Sequence, residues 1–94
     1  PVALATDVNP GGGFTPSMPF VMALACFAMN MTLEEALVGT TINAAAALDR
    51  QAIAGSIEVG KPLDAVIVNG PLSELLRVGA PVIGAVIKHG HVVA

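Results

Sequence analysis

The sequence predicts an α/β fold with its helices in the first half and its strands mainly in the second, and three observations carry that expectation. An apolar run, Val2 to Ala5, stops near Asp7, after which Asn9, Pro10, Gly11, Gly12 and Gly13 forbid any regular continuation. The segment Met18 to Met29 is apolar on every side of a helix. After Gly55 the pattern changes to alternation and β-branched runs. This divides the chain into residues 1–54 and 55–94, expected to form one compact unit.

The opening run reads as a buried strand that delivers Asp7 to its C-terminal rim. In α/β barrels strand ends are rigid and the loops beyond them hold substrate, so catalytic residues gather there. A carboxylate at such a rim suits a metal ligand or a proton carrier. On spacing alone, the simpler reading of Asp7 to Gly11 is a strand followed by an Asx-type turn.

Ser17 can cap the next helix, with Pro19 in its first turn, where a missing N–H costs nothing. Phe20, Val21, Met22, Leu24, Cys26, Phe27 and Met29 point in all directions around it, which predicts a buried helix. Cys26 reads as core, since no activating partner lies near it in sequence. Thr32-Leu33-Glu34-Glu35 has the pattern of a capping box, predicting a helix from Leu33 to about Val38 that ends at Gly39. Neighbours on a helix point about 100° apart, so Glu34 and Glu35 read as cap and solvent face rather than as an acid–base pair.

Thr40 or Thr41 caps a third helix, with Ile42, Ala45, Ala46 and Leu48 at packing intervals. Asn43, polar within it, is expected to bond a nearby loop rather than substrate. Asp49-Arg50-Gln51 closes this helix and Gly55 opens a turn. Ser56 to Val59 alternates as a strand would, Gly60-Lys61-Pro62 turns, and Asp64 to Val68 is a β-branched strand ended by Asn69-Gly70-Pro71. Asp64 reads as a turn or register residue. Leu72 to Val78 predicts one helical turn, with a break at Gly79-Ala80-Pro81. Val82 to Lys88 and His91 to Val93 form a closing hairpin around His89-Gly90. His89 and His91 make an H-x-H pair with no third ligand beside it, which reads as a solvated hairpin.

Composition excludes several classes of function. A net charge of −3 with four basic residues gives no phosphate-binding patch, so nucleic acid is not an expected partner. The run Met18 to Met29 is shorter than the about 20 residues a bilayer-spanning helix needs, and only Asp7 is charged ahead of it, so neither membrane nor signal peptide is expected. The triple glycine lacks the Lys and Ser/Thr of a phosphate loop. A single cysteine rules out an intrachain disulfide and suits a reducing, cytoplasmic setting. With 54% apolar and 12% charged residues in 94, some apolar surface is expected to lie against other segments or a second subunit, making a homo-oligomer the expected state.

Taken together, Ala5-Thr6-Asp7-Val8-Asn9-Pro10-Gly11, Met18-Pro19, Ala25-Cys26, Met31 to Ala36 and Thr41-Ile42-Asn43-Ala44-Ala45 resemble the last quarter of the imidazolonepropionases, members of the metal-dependent amidohydrolase superfamily. Gly55 to Lys61, with Asp64, resembles the segment by which many amidohydrolases leave their barrel. The resemblance covers nearly the whole chain. It implies the last strand and helices of a (β/α)8 barrel plus C-terminal strands of a small composite β-sandwich domain. A closed barrel takes roughly 250 residues, so the chain is expected to be a portion of a longer enzyme.

The resemblance further implies that Asp7 matches the metal ligand at the end of the eighth strand, in a site otherwise held by histidines. The metal would be zinc or iron, and this chain alone is expected to hold none stably. The implied reaction is hydrolytic opening of the ring C–N bond of imidazolone-propionate in histidine breakdown, with Asp7 carrying a proton. Asn9, Gly11 and Gly12 would meet the substrate: the Asn9 amide both donates and accepts, and glycine lets backbone N–H groups approach an anion. Imidazolonepropionases commonly carry Ser where this chain has Gly12, so one hydroxyl contact would be missing. The alternative is a free-standing, non-catalytic oligomeric module derived from an amidohydrolase C-terminus. A third possibility is an enzyme completed by a second chain that supplies the histidines.

Overall fold

A computed structural model describes residues 1–10, 16–77 and 81–94. It comprises α1 (Met18–Ala28), α2 (Leu33–Thr40), α3 (Ile42–Ala47), β1 (Ala65–Val68), a 3₁₀ turn (Leu72–Leu76), β2 (Ile83–Lys88) and β3 (His91–Val92). The class is α/β as expected, with a three-stranded antiparallel sheet in the order β1-β2-β3.

α1 begins where the sequence places it. Ser17 is extended and its hydroxyl accepts the Phe20 N–H at 3.3 Å, with Pro19 in the first turn. The helix is not buried all round. Met22, Ala23 and Ala25 are buried, while Leu24 and Phe27 are 45% and 75% exposed. Its main neighbours are α2 and the 3₁₀ turn, which cover one side only.

The capping box of α2 is complete: Thr32 Oγ1 accepts the Glu35 N–H at 3.1 Å, and Glu35 Oε1 accepts the Thr32 N–H at 2.9 Å. Gly39 does not end this helix, which continues to Thr40. Its lack of a side chain serves packing instead, because a Cβ there would lie 3.2 Å from both Leu4 Cγ and the Val2 carbonyl oxygen. Thr41 occupies the cap position of α3 without capping it; its hydroxyl donates to the Leu37 carbonyl at 2.7 Å. In α3, Ala45 is buried, whereas Leu48, expected at a packing interval, is 73% exposed.

β1 pairs with β2, Ala65 opposite Ile87, with a register shift between Ile67 and Val68. β2 pairs with β3 through His89 and Gly90, whose φ angles of 50 and 80 are the positive pair a tight two-residue hairpin requires. Asp64 staples this turn to the start of β1. Its Oδ1 accepts the His89 N–H at 2.9 Å, its Oδ2 takes Lys88 Nζ at 3.1 Å, and the Gly90 N–H donates to the Leu63 carbonyl at 2.9 Å.

Two expected strands do not form among the described residues. Val2 to Ala5 has no ladder partner; the Leu4 N–H donates instead to the Gly39 carbonyl at 2.8 Å. Ser56 to Val59 alternates, but Ile57 and Val59 face solvent and the segment pairs with nothing. Alternation gives a strand only where a neighbouring strand takes up its N–H and C=O groups. The core gathers Leu4, Met22, Ala25, Ala36, Leu75 and Val82, so the opening segment, α1, α2 and the 3₁₀ turn share it. The expected break at Gly79-Ala80 lies outside the described residues.

Candidate functional site

The opening segment is held on the corner where α2 meets α3. Leu4 inserts into the core, its N–H bonds the Gly39 carbonyl, and Asn43 Nδ2 donates to the Val2 carbonyl at 3.0 Å. Asn43 thus bonds a neighbouring loop segment, as its polarity within an alanine-rich helix foretold. Three residues beyond Leu4 the chain reaches Asp7.

Asp7 is exposed, and its φ of 51 places it in the left-handed region. Asp and Asn tolerate that region better than most residues because their short polar side chains can bond locally. Here the local bond comes from Asn9, whose Nδ2 donates to the Asp7 carbonyl at 2.6 Å. The turn therefore leaves the Asp7 carboxylate facing water, with no hydrogen bond or ion pair among the described residues. Asp7 and Asn9 share this turn, joined by the Asn9 bond to the Asp7 backbone; Gly11 and Gly12 lie outside the described residues.

As a metal centre this corner is incomplete. A catalytic zinc usually takes about three protein ligands, and among the described residues no group of three or more His, Cys, Asp or Glu is arranged to hold a metal ion. Asp7 offers a carboxylate of the right chemistry, and nothing beside it among the described residues completes the set. His89 and His91 are exposed at the hairpin, where His89 serves through its backbone.

Glu35, Ser56, Glu58 and Lys61 have structural roles. Glu35 is held below its ordinary pKa of 4.5, chiefly by the Thr32 N–H and then by the Thr32 hydroxyl, as an N-cap partner should be. Lys61 Nζ lies 2.8 Å from Ser56 Oγ, which superficially suggests a nucleophile and its base. It also pairs with Glu58 at 3.0 Å, so Lys61 is a staple for the turn. Ser56 also donates to Glu58; this hydrogen bond, followed by those of Lys61, lowers the Glu58 pKa. Cys26 is half-buried against the core.

A groove of about 640 Å³ runs between the α2–α3 pair and β1, walled by Leu37, Ala44, Leu48, Ile57, Val66 and Leu72. None of the residues lining it is one the sequence marked as a site. The feature that sequence reasoning missed is Gly39, read as a helix stop when it is the point of close approach for the Asp7-bearing segment. A glycine continued by Thr40 and Thr41, both poor stop signals, was the available clue.

Comparison with known proteins adds a family. The model of the Amidohydrolase family matches residues 1–93. An imidazolonepropionase of Alkaliphilus metalliredigens is 54% identical over 71 residues, covering 76% of this chain and 17% of that protein. Those of Geobacillus kaustophilus and Shouchella clausii are 50% and 47% identical over 95 residues, covering 99% of this chain and 22% and 21% of theirs. The chain spans about a fifth of the length of the curated relatives it matches.

Proposed function

Since the chain belongs to the amidohydrolase family, we propose that it supplies the C-terminal portion of an imidazolonepropionase-like hydrolase. On this reading it carries one corner of the active site, formed by Asp7 and Asn9 with Gly11 and Gly12, and residues 1–54 and 55–94 contribute to the barrel and the composite domain respectively. The observation that carries the reading is the exposed Asp7 carboxylate, unpaired among the described residues, at the head of Asp7-Val8-Asn9-Pro10-Gly11 in a chain whose relatives bear the name imidazolonepropionase.

A divalent metal, zinc or iron, supplies in such sites a water activated near neutral pH. Asp7 is suited to occupy one position of the ligand set and to hold a proton at its carboxylate, then return it to the departing ring nitrogen. The Asn9 amide and the glycine backbone are suited to orient a cyclic amide bearing a carboxylate tail. The substrate is then imidazolone-propionate or a near analogue, without the hydroxyl contact that Gly12 removes.

The test is a chimera in which this chain replaces the aligned segment of the Geobacillus kaustophilus relative. It should hydrolyse imidazolone-propionate, and Asp7→Ala should lower kcat by at least about a thousandfold, a loss in the range of removing a catalytic group outright. A chimera that turns over normally with Asp7→Ala would contradict the assignment.

A second reading, a self-associating module without catalysis, is favoured by surface area. The chain exposes 6253 Å², against roughly 5,000 Å² from the scaling of compact monomers of this mass. Sedimentation of a well-folded monomer at micromolar concentration would count against it.

A further inference from the structure

We propose that Asn43 is a positioning residue for Asp7, acting through the backbone of the opening segment; this rests on the reading of Asp7 given above. Two hydrogen bonds straddle residue 3: Asn43 Nδ2 to the Val2 carbonyl at 3.0 Å, and the Leu4 N–H to the Gly39 carbonyl at 2.8 Å. Both partners belong to the α2–α3 corner. Gly39, bare of a side chain, lets Leu4 and Val2 approach that corner, and the Leu4 side chain is 9% exposed in the core. Asn43 is the one polar residue of α3, whose sequence is Ile-Asn-Ala-Ala-Ala-Ala, and its donor is aimed at a residue 41 positions away.

These anchors matter because the opening segment has no sheet ladder among the described residues to fix its register. From Leu4 to Asp7 the chain can reach on the order of 10 Å. Asn9 locks the far side of the turn onto the Asp7 carbonyl at 2.6 Å. A slip of this segment against the corner by one residue would carry the carboxylate by roughly 3 Å. A displacement on the order of 1 Å at a reacting group can cost about a hundredfold in rate. Asn43 therefore acts at a distance, on where the carboxylate is rather than on what it is.

Two variants test this in the chain itself: Asn43→Ala removes the amide, and Asn43→Asp keeps its shape while removing the donor. By NMR, both should speed hydrogen exchange of the Leu4 amide about fivefold to tenfold, the loss expected for one such bond, and shift the Asp7 carboxyl-carbon resonance. The β2 amides should keep their protection, which separates loss of the anchor from general unfolding. An unchanged Leu4 amide and Asp7 resonance in a folded Asn43→Asp chain would overturn the proposal. In the chimera, Asn43→Asp should lower kcat about tenfold or more while KM stays within about threefold; unchanged kcat would likewise overturn it. Turnover surviving Asp7→Asn would remove the role of Asp7 itself, and the exchange measurement distinguishes that failure from failure of the anchor.

Discussion

At Gly55 the backbone takes φ +92, and a methyl group there would sit 2.8 Å from Ile42 Cα and 2.9 Å from Ala45 Cβ. Backbone cannot swing aside as a side-chain tip can. Gly55→Ala should therefore destabilise the chain by on the order of 3 kcal/mol, combining overpacking with a strained φ, read as a lower urea midpoint; an unshifted midpoint would show that the α3–turn contact is looser than described. The carboxylates offer a second check. Asp64 is held below its ordinary pKa of 3.8, first by the His89 N–H and then by Lys88, and Glu35 and Glu58 are lowered by their own hydrogen bonds. Their protons bind more weakly in the folded chain than in the unfolded one. Their stabilisation is thus full above the unfolded pKa and is lost as pH falls through the folded one. The urea midpoint should decline on acidification below about pH 5, and Asp64→Asn should make that decline shallower. A midpoint that rises on acidification would show that these carboxylates bind protons more tightly in the folded chain. Asp64 was legible in the sequence as a turn or register residue at the start of a β-branched run; that it serves the far hairpin turn depends on pairing 25 residues away.

Elements written by local chemistry emerge where the sequence puts them. Ser17 and Pro19 start α1, Thr32 and Glu35 start α2, and His89-Gly90 turns the hairpin, each through partners within a few residues. Thr32→Ala should accordingly destabilise the chain by about 1 kcal/mol, the usual worth of an N-cap, measured by urea unfolding; a neutral effect would mean that tertiary packing alone holds α2. Elements that depend on distant partners are harder to read. Val2 to Ala5 and Ser56 to Val59 have strand-like composition, yet no neighbour among the described residues ladders with either. Gly39 looked like a stop signal because the need it meets, room for Leu4 and Val2, comes from a segment 35 residues earlier. The candidate site follows the same division: Asp7 and Asn9 share a turn, being two residues apart, whereas no group of three or more metal-ligating side chains is gathered among the described residues.

For the molecule as a whole, the surface carries the clearest message. Leu24, Phe27 and Met29 line an open side of α1, and Val66 and Ile67 of β1 are each 52% exposed. Such surface is what a segment of a larger fold shows when its neighbours are removed, and it also favours self-association. The chain's membership of the amidohydrolase family, with about a fifth of the length of its relatives, is in keeping with the first of these. Among the described residues no helix is long and apolar enough to cross a membrane. On the proposed reading Asp7 is one corner of a site completed by groups from other segments, and elemental analysis of the purified, folded chain tests this. Zinc and iron should be clearly substoichiometric and unaffected by Asp7→Ala, whereas one tightly bound metal per chain, lost on that substitution, would show that the chain holds a complete metal site by itself.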